Sequence, residues 1–293
     1  MTRRPSCAEA SLERAEPLAA TASRVDNWIL VEYRGVWAYD PVAASALSDP
    51  VKAHLRERIR ALRPAKVLFV RRGRALHQER LSVFWGNSSE DGARLFRAEL
   101  AGHDGLLEYD FESPGEPVAH PLLLVCTHGK HDRCCARYGR PLYEALREQV
   151  EDGWLWQVSH IGGDRFAGNL ICLPEGLYYG RVGAAEAWSV LDEHLAGRIH
   201  LGCYRGRSAY AFPVQAAERR IREELGLTGI GDLVLVRVEH EGDRWHVRFR
   251  AGDRLVETEV ALVLGELTYL TCSSEALTHP RHHVAGSLRV SAV

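Results

Sequence analysis

The sequence lacks several features that would place it in a class at once. No apolar run approaches the roughly 18 to 20 residues that span a bilayer, and no apolar segment follows the arginines near the N-terminus, so we expect neither a membrane span nor a secretory signal. The formal net charge is only -2, with both signs mixed along the 293 residues. This balance argues against nucleic acid and anionic membranes as partners. We therefore expect a cytoplasmic protein.

Cysteine is also scarce, except in one place. The seven cysteines are an odd number and mostly far apart, unlike the dense, even framework of a small secreted domain. The exception is CTHGKHDRCC at residues 126–135, which follows the apolar run PLLLV and holds three cysteines, two histidines, a lysine and an aspartate. In a reducing compartment, clustered thiols more often bind metal or perform redox chemistry than form structural disulfides.

The middle region, residues 116–202, has the pattern strand, helix, strand, strand, strand, helix. PLLLV is the first strand, and Pro141 is predicted near the first turn of the helix that follows. Strand patterns at 168–173 and 177–182 flank a turn-forming Pro-Glu-Gly segment. With room for a short helical turn after Gly163, this order matches a thioredoxin-like layout. The Cys/His segment then lies at the carboxyl end of a strand, where open α/β sheets hold ligands.

The flanking regions have their own patterns. Residues 1–115 contain a strand-helix-strand unit and two further strand patterns, so we predict an α/β lobe, with a second, divergent thioredoxin-like unit as an alternative. Residues 203–293 contain a helix from near Pro213 to Gly226 and then three strands separated by short turns. The predicted fold class is therefore α/β, with a thioredoxin-like domain between an N-terminal α/β lobe and a C-terminal helix and β-meander unit.

A second polar segment adds to the Cys/His segment. SHIGGD places His160 and Asp164 four residues apart at the end of a predicted strand, with glycines between them that let backbone approach closely. Thiolates of Cys126 and Cys135, the imidazole of His160 and a fourth donor would suit zinc or an iron-sulfur cluster, because both accept mixed sulfur and nitrogen ligands.

The motifs CTHGKHDRCCARYGRPL, SHIGGDRFAGN and LPEGLYYGRV, with the later GRS and QAAE pieces, resemble the sucrase/ferredoxin-like family, and the resemblance covers nearly the whole chain. It implies a thioredoxin-like ferredoxin domain with a 2Fe-2S cluster, and an electron carrier rather than an enzyme. In the family, two cysteines spaced C-x8-C and two histidines spaced H-x3-H hold the cluster. These positions fall on Cys126, Cys135 and His160, while Asp164 replaces the second histidine.

This departure leaves the fourth ligand open among Asp164, Cys134, His131 and water. The cofactor alternatives are zinc or none, and the electron partner is expected to be a redox protein of unknown identity. Two other functions stay open: a zinc-binding structural or regulatory module, and a thiol-disulfide oxidoreductase that uses Cys126, Cys134 and Cys135. Against the latter, the segment lacks C-x2-C spacing, and adjacent cysteines close only a strained ring.

Several residues near these motifs also have a purely structural interpretation. Cys172 is expected to pack in the core as a small hydrophobic side chain. Arg165 is a candidate to pair with Asp164, and His128 is a candidate to order the loop. The remaining cysteines, Cys7, Cys203 and Cys272, are expected to be structural or incidental.

Overall fold

The computed structural model describes residues 4–73, 78–90 and 92–292. The α-helices in these ranges are α1 (Cys7–Glu13), α2 (Asp49–Ala61), α3 (Arg133–Arg147), α4 (Ala184–Leu195) and α5 (Phe212–Leu225). A ten-stranded sheet contains β1 (Asn27–Glu32), β2 (Ala65–Arg71), β3 (Leu81–Asn87), β4 (Arg94–Leu100), β5 (Glu116–Pro117), β6 (Leu122–Cys126), β7 (Leu155–Val158), β8 (Leu170–Leu173), β9 (Leu177–Tyr179) and β10 (Tyr204–Arg207). A four-stranded sheet contains β11 (Val234–Glu241), β12 (Arg244–Ala251), β13 (Arg254–Leu264) and β14 (Arg281–Ala292).

The larger sheet has the strand order β10-β9-β8-β6-β7-β2-β1-β3-β4-β5. Strand β6 pairs in parallel with β7 and antiparallel with β8, and β8 pairs antiparallel with β9. With α3 between β6 and β7, and α4 after β9, this is a thioredoxin-like arrangement, which confirms the predicted fold class.

The N-terminal lobe repeats the same pairing scheme. Strand β1 pairs in parallel with β2 and antiparallel with β3, and β3 pairs antiparallel with β4. The two units join edge to edge, because the carboxyl ends of β2 and β7 pair antiparallel through Val70 with Val158 and Arg71 with Gln157. This topology supports the interpretation of two related units.

The central strand β6 is buried on both faces, as its unbroken apolar sequence predicts. Leu122, Leu124 and Cys126 pack in one core cluster, while Leu123 and Val125 pack in another on the opposite face. This double burial fixes the register of the strand, since a slip of one residue would exchange the two faces. Cys126 is thereby held at the carboxyl end of a rigid strand.

Helix α3 begins earlier than the sequence predicts. It starts at Arg133, and Pro141 lies inside the helix rather than near its first turn. Asp132 caps the helix by accepting a hydrogen bond from the Cys134 amide at 2.8 Å. The prediction gave too much weight to proline as a first-turn residue and missed the cap. The consequence is that Cys134 and Cys135 lie in the first turn of a helix, not in a loop.

The C-terminal unit matches its predicted pattern with one addition. Helix α5 ends before Gly226, which has the left-handed φ of 67° that favours glycine at this position. The three predicted strands are β11, β12 and β13, and the fourth, β14, was not predicted. The larger sheet runs on through β10, past residue 202, so the division into three domains stays a prediction. Within the described residues, no helix combines the length and apolar character of a membrane span.

Candidate metal centre

Two polar segments meet at the carboxyl ends of β6 and β7. Cys126 ends β6, and Cys135 faces it from the first turn of α3. His160 follows β7, and Asp164 opens the short 3-10 turn Asp164–Phe166, whose position the sequence predicted. The ligating atoms of Cys126, Cys135 and His160 lie within 4.8 Å of one another.

A fifth donor joins them on the imidazole side. The ligating atoms of His131, His160 and Asp164 also lie within 4.8 Å of one another. The rings of His131 and His160 stack, with centroids 3.6 Å apart and planes inclined by 16°. His131 Nε2 is 4.0 Å from Asp164 Oδ2. His160 thus belongs to both sets and links the thiols to the second imidazole.

Asp164 contacts both sides of the group. Its Oδ1 accepts a hydrogen bond from the Cys135 thiol, with a sulfur–oxygen distance of 3.0 Å, and lies 3.0 Å from His160 Nδ1. The contact with His160 has the length but not the geometry of a hydrogen bond, so the buried Nδ1 atom lacks a hydrogen-bond partner among the described residues. A carboxylate, a thiol and an imidazole nitrogen are therefore close enough to share one ion.

The structure brings together four of the five predicted site residues: Cys126, Cys135, His160 and Asp164. Cys134 points elsewhere, and its sulfur lies 3.6 Å from that of Cys7 and 3.4 Å from that of Cys272. Because α3 turns its consecutive side chains by about 100°, Cys134 and Cys135 face different surroundings.

Three of the structural interpretations have clear outcomes. Arg165 does not pair with Asp164, because its Nε binds Glu16 Oε1 at 2.7 Å. His128 orders the loop, since its Nδ1 accepts a hydrogen bond from the His160 amide at 3.2 Å and its ring packs edge-on against Trp37. Cys172 is fully buried in the core, as predicted.

Arg205 supports the site and was missed from the sequence. Its buried guanidinium donates hydrogen bonds to the carbonyl oxygen of Gly162 at 3.0 Å, to Asn169 Oδ1 at 2.8 Å and to the carbonyl oxygen of Thr21 at 2.6 Å. Gly163 has a φ of +80°, and a Cβ there would collide with this guanidinium. The available signal was an arginine inside the YRGRS segment, and this arginine contacts the 160–164 loop.

Burial and mutual contacts shift the protonation of the donors. The contact between the Cys126 and Cys135 sulfurs lowers the pKa of Cys126 well below its usual value and raises that of Cys135. Burial alone would lower the pKa of His160, but Asp164 and the Cys126 thiolate outweigh it and raise the pKa to about 9. Burial likewise opposes ionisation of Asp164, but His160 and Cys135 lower its pKa. The group therefore favours anionic oxygen and sulfur beside a protonated imidazole, and a cation could take the place of the imidazole proton.

Comparison with known proteins places the chain in a family. The family model described as sucrase/ferredoxin-like matches residues 18–206. The chain belongs to the sucrase/ferredoxin-like family. The match includes all three motifs that suggested the resemblance, and it ends before the QAAE piece at residues 215–218, so it is shorter than the expected coverage of nearly the whole chain.

Among curated proteins, the chain is similar to two proteins that share the name altered inheritance of mitochondria protein 32. The protein of Debaryomyces hansenii is 32% identical over 101 residues, which cover 31% of this chain and 37% of that protein. The protein of Meyerozyma guilliermondii is 27% identical over 124 residues, which cover 38% of this chain and 43% of that protein. The chain thus matches less than half of the length of each relative.

Among solved structures, the chain is similar to a thioredoxin-like [2Fe-2S] ferredoxin from Aquifex aeolicus. One structure of this protein is 15% identical with a TM-score of 0.28, covering 32% of this chain and 97% of that chain. The wild-type structure at 1.5 Å is 16% identical with a TM-score of 0.27, covering 30% of this chain and 97% of that chain.

Proposed function

We propose that the protein is an electron carrier that binds a 2Fe-2S cluster through Cys126, Cys135, His160 and Asp164. The observation that carries this proposal is the convergence of two thiols, an imidazole and a carboxylate at the ends of two parallel strands. When bound, such a cluster takes up and releases one electron. Membership of the sucrase/ferredoxin-like family supports the proposal.

The donor set fits the group. Fe-S clusters are held by cysteine thiolates, and two histidines replace two cysteines in one established class. Here Cys126 and Cys135 provide the sulfur pair, and His160 provides a nitrogen whose Nδ1 lacks a hydrogen-bond partner among the described residues. Asp164 is the fourth donor by proximity, and His131 is the alternative behind it.

The surrounding residues stabilise negative sulfur and limit access of water. The backbone amide of His128 donates a hydrogen bond to the Cys126 sulfur and helps to lower its pKa. The side chain of Asp164 is 4% exposed, whereas those of His160 and His131 are 21% and 18% exposed. We infer that electrons enter and leave through the imidazole side, because it is the less buried side.

A basic cleft beside the site indicates the kind of partner. The cleft has a volume of about 570 Å³, and the 127–130 loop forms part of its wall. Its cationic side chains are Arg34, Arg71, Lys130, Arg133 and Arg140. Complementary charge guides the encounter of redox proteins, so we propose a partner protein with an acidic docking face.

A visible spectrum with iron and acid-labile sulfide counts on anaerobically purified protein tests the proposal. We expect a reddish-brown protein with equal amounts of iron and sulfide, both lost in Cys126→Ser and kept in Cys172→Ser. A colourless protein with zinc at Cys126 would instead support the zinc module, and a metal-free protein with a reducible Cys126–Cys135 bond would support thiol chemistry. Either outcome overturns the electron-carrier proposal.

A further inference from the structure

Three cysteines outside the first site meet beside the start of α3. Cys7 is the first residue of α1, Cys134 lies in the first turn of α3, and Cys272 lies in the connection between β13 and β14. The sulfur of Cys7 is 3.6 Å from those of Cys134 and Cys272, and the sulfurs of Cys134 and Cys272 are 3.4 Å apart. All three thiols are free. Residues that are more than 260 positions apart in the sequence thus form one triangle of sulfur atoms.

Asp132 lies over this triangle as a fourth donor. Its Oδ1 and Oδ2 atoms are 3.8 and 3.7 Å from the Cys7 sulfur, and its side chain is buried. The Cys134 amide donates a hydrogen bond to Oδ1 at 2.8 Å, and the Cys272 amide donates one to Oδ2 at 2.7 Å. Because each carboxylate oxygen has two lone pairs, these bonds orient the carboxylate and leave it able to bind a cation.

The sulfur–sulfur distances fit a single metal ion better than a disulfide. A tetrahedral zinc ion with Zn–S bonds of about 2.3 Å holds its sulfur ligands about 3.8 Å apart, and the three observed separations are only a few tenths of an ångström shorter. A disulfide would require about 2.0 Å.

We propose that Cys7, Cys134, Cys272 and Asp132 bind one zinc ion, at a second metal site that is independent of the proposed electron-transfer centre. Three thiolates and one carboxylate form a closed set of four protein ligands, which is typical of structural rather than catalytic zinc. The ion would tie α1 and the β13–β14 connection to the first turn of α3. That turn also carries Cys135, so the two proposed sites take ligands from neighbouring positions of one helix turn.

One cation and one backbone amide contact the Cys272 sulfur. Four anionic donors around Zn²⁺ leave an excess of negative charge, and Arg133 Nε donates a hydrogen bond to the Cys272 sulfur at 3.3 Å. The Cys7 amide donates a second hydrogen bond to the same sulfur at 3.4 Å. Such bonds to metal-bound thiolates orient the ligands and reduce their charge. The competing interpretation is a packed cluster of neutral thiols beside Ala8 and Ala167.

Zinc and iron counts on the full-length protein, expressed with both metals supplied, test the proposal. We expect one zinc ion per chain in the wild type and in Cys203→Ser, a buried cysteine outside both sites. Cys7→Ser and Cys272→Ser should lose the zinc and keep the iron. Zinc X-ray absorption of the wild type should show three sulfur ligands at about 2.3 Å and one oxygen or nitrogen ligand, a measurement that does not depend on the folding of any variant.

Three results would overturn the zinc site: no zinc in the wild type, zinc retained in both Cys7→Ser and Cys272→Ser, or a Cys134–Cys272 disulfide found by mass spectrometry under non-reducing conditions. Zinc that disappears in Cys126→Ser but stays in Cys7→Ser would occupy the first centre and contradict both proposals. Zinc bound as expected in a protein that never contains iron would support the second site and refute the electron carrier.

Discussion

The Asp164 carboxylate lies 3.0 Å from His160 Nδ1 without forming a hydrogen bond to it. A buried imidazole nitrogen normally has a hydrogen-bond partner, and here its contact with the carboxylate is an ion pair instead. The same carboxylate oxygen is 3.0 Å from the Cys135 sulfur. Both contacts are short enough for the nitrogen, the oxygen and the sulfur to face a common cation.

Removing either thiolate should remove the iron. Cys126→Ser and Cys135→Ser are each expected to lose most of the iron and sulfide, because thiolates supply most of the charge that offsets the metal. Cys134→Ser should retain the iron, since the Cys134 sulfur faces Cys7 and Cys272. Metal analysis and visible spectra of the three variants measure the iron and the cluster that each retains. Iron loss in Cys134→Ser with retention in Cys135→Ser would show that the two neighbouring cysteines have been assigned the wrong way round.

The imidazole of His160 should be replaceable by sulfur but not by a methyl group. His160→Ala is expected to make the cluster labile or absent, and His160→Cys to keep it with a shifted spectrum, because thiolate is itself a ligand for iron. His131→Ala is the matched control, because His131 stacks on His160 from the partly exposed side. A spectrum that survives His160→Ala and disappears in His131→Ala would move the ligand role to His131.

Asp164→His should raise the reduction potential. A carboxylate adds one negative charge relative to an imidazole, and negative charge disfavours the uptake of an electron. We expect the wild-type potential to lie near or above that of all-cysteine centres, about -400 mV, and below the range of two-histidine centres, which begins at about -150 mV. The reduction potential of the variant should be higher than that of the wild type and should depend more strongly on pH, as measured by protein-film voltammetry. Equal potentials in the two proteins would exclude Asp164 as a ligand.

Gly163→Ala should destabilise the protein more than Gly153→Ala. Both glycines have positive φ, so each substitution costs about 1 to 2 kcal/mol through the backbone. A Cβ at Gly153 meets open space, whereas one at Gly163 displaces the buried Arg205 guanidinium. An additional loss of about 1 to 3 kcal/mol is expected because buried hydrogen bonds of Arg205 break. Urea unfolding measures the difference, and equal stabilities would show that Arg205 does not hold the loop.

The strands and the proximity of Cys126, Cys135 and His160 could be predicted because their signals are local. The apolar run at β6 identifies a buried strand, and Cys126, Cys135 and His160 stand at strand ends or in recognisable spacing. The predicted start of α3 was wrong because the helix begins after a single capping residue, Asp132, that the prediction missed.

The contacts that the sequence could not reveal connect distant parts of the chain. Cys7 and Cys272 have no local pattern, and only the packing of α1 and the β13–β14 connection against α3 brings them to Cys134. Arg205 reaches the 160–164 loop from β10, at the edge of the sheet. Such contacts follow from the tertiary arrangement, which the periodicity of a single segment does not encode.

The antiparallel junction of β2 and β7 also limits how the protein can be divided. A fragment that begins at residue 116 would keep the candidate ligands but lose β2, so β7 would become an edge strand with one unpaired side that is prone to pair with strands of other chains. It would also lose Tyr39, whose ring stacks on that of His131 with centroids 4.5 Å apart, and Trp37, which packs against His128. The N-terminal lobe is therefore part of the wall around the candidate site, and a minimal version of this protein has to include both lobes.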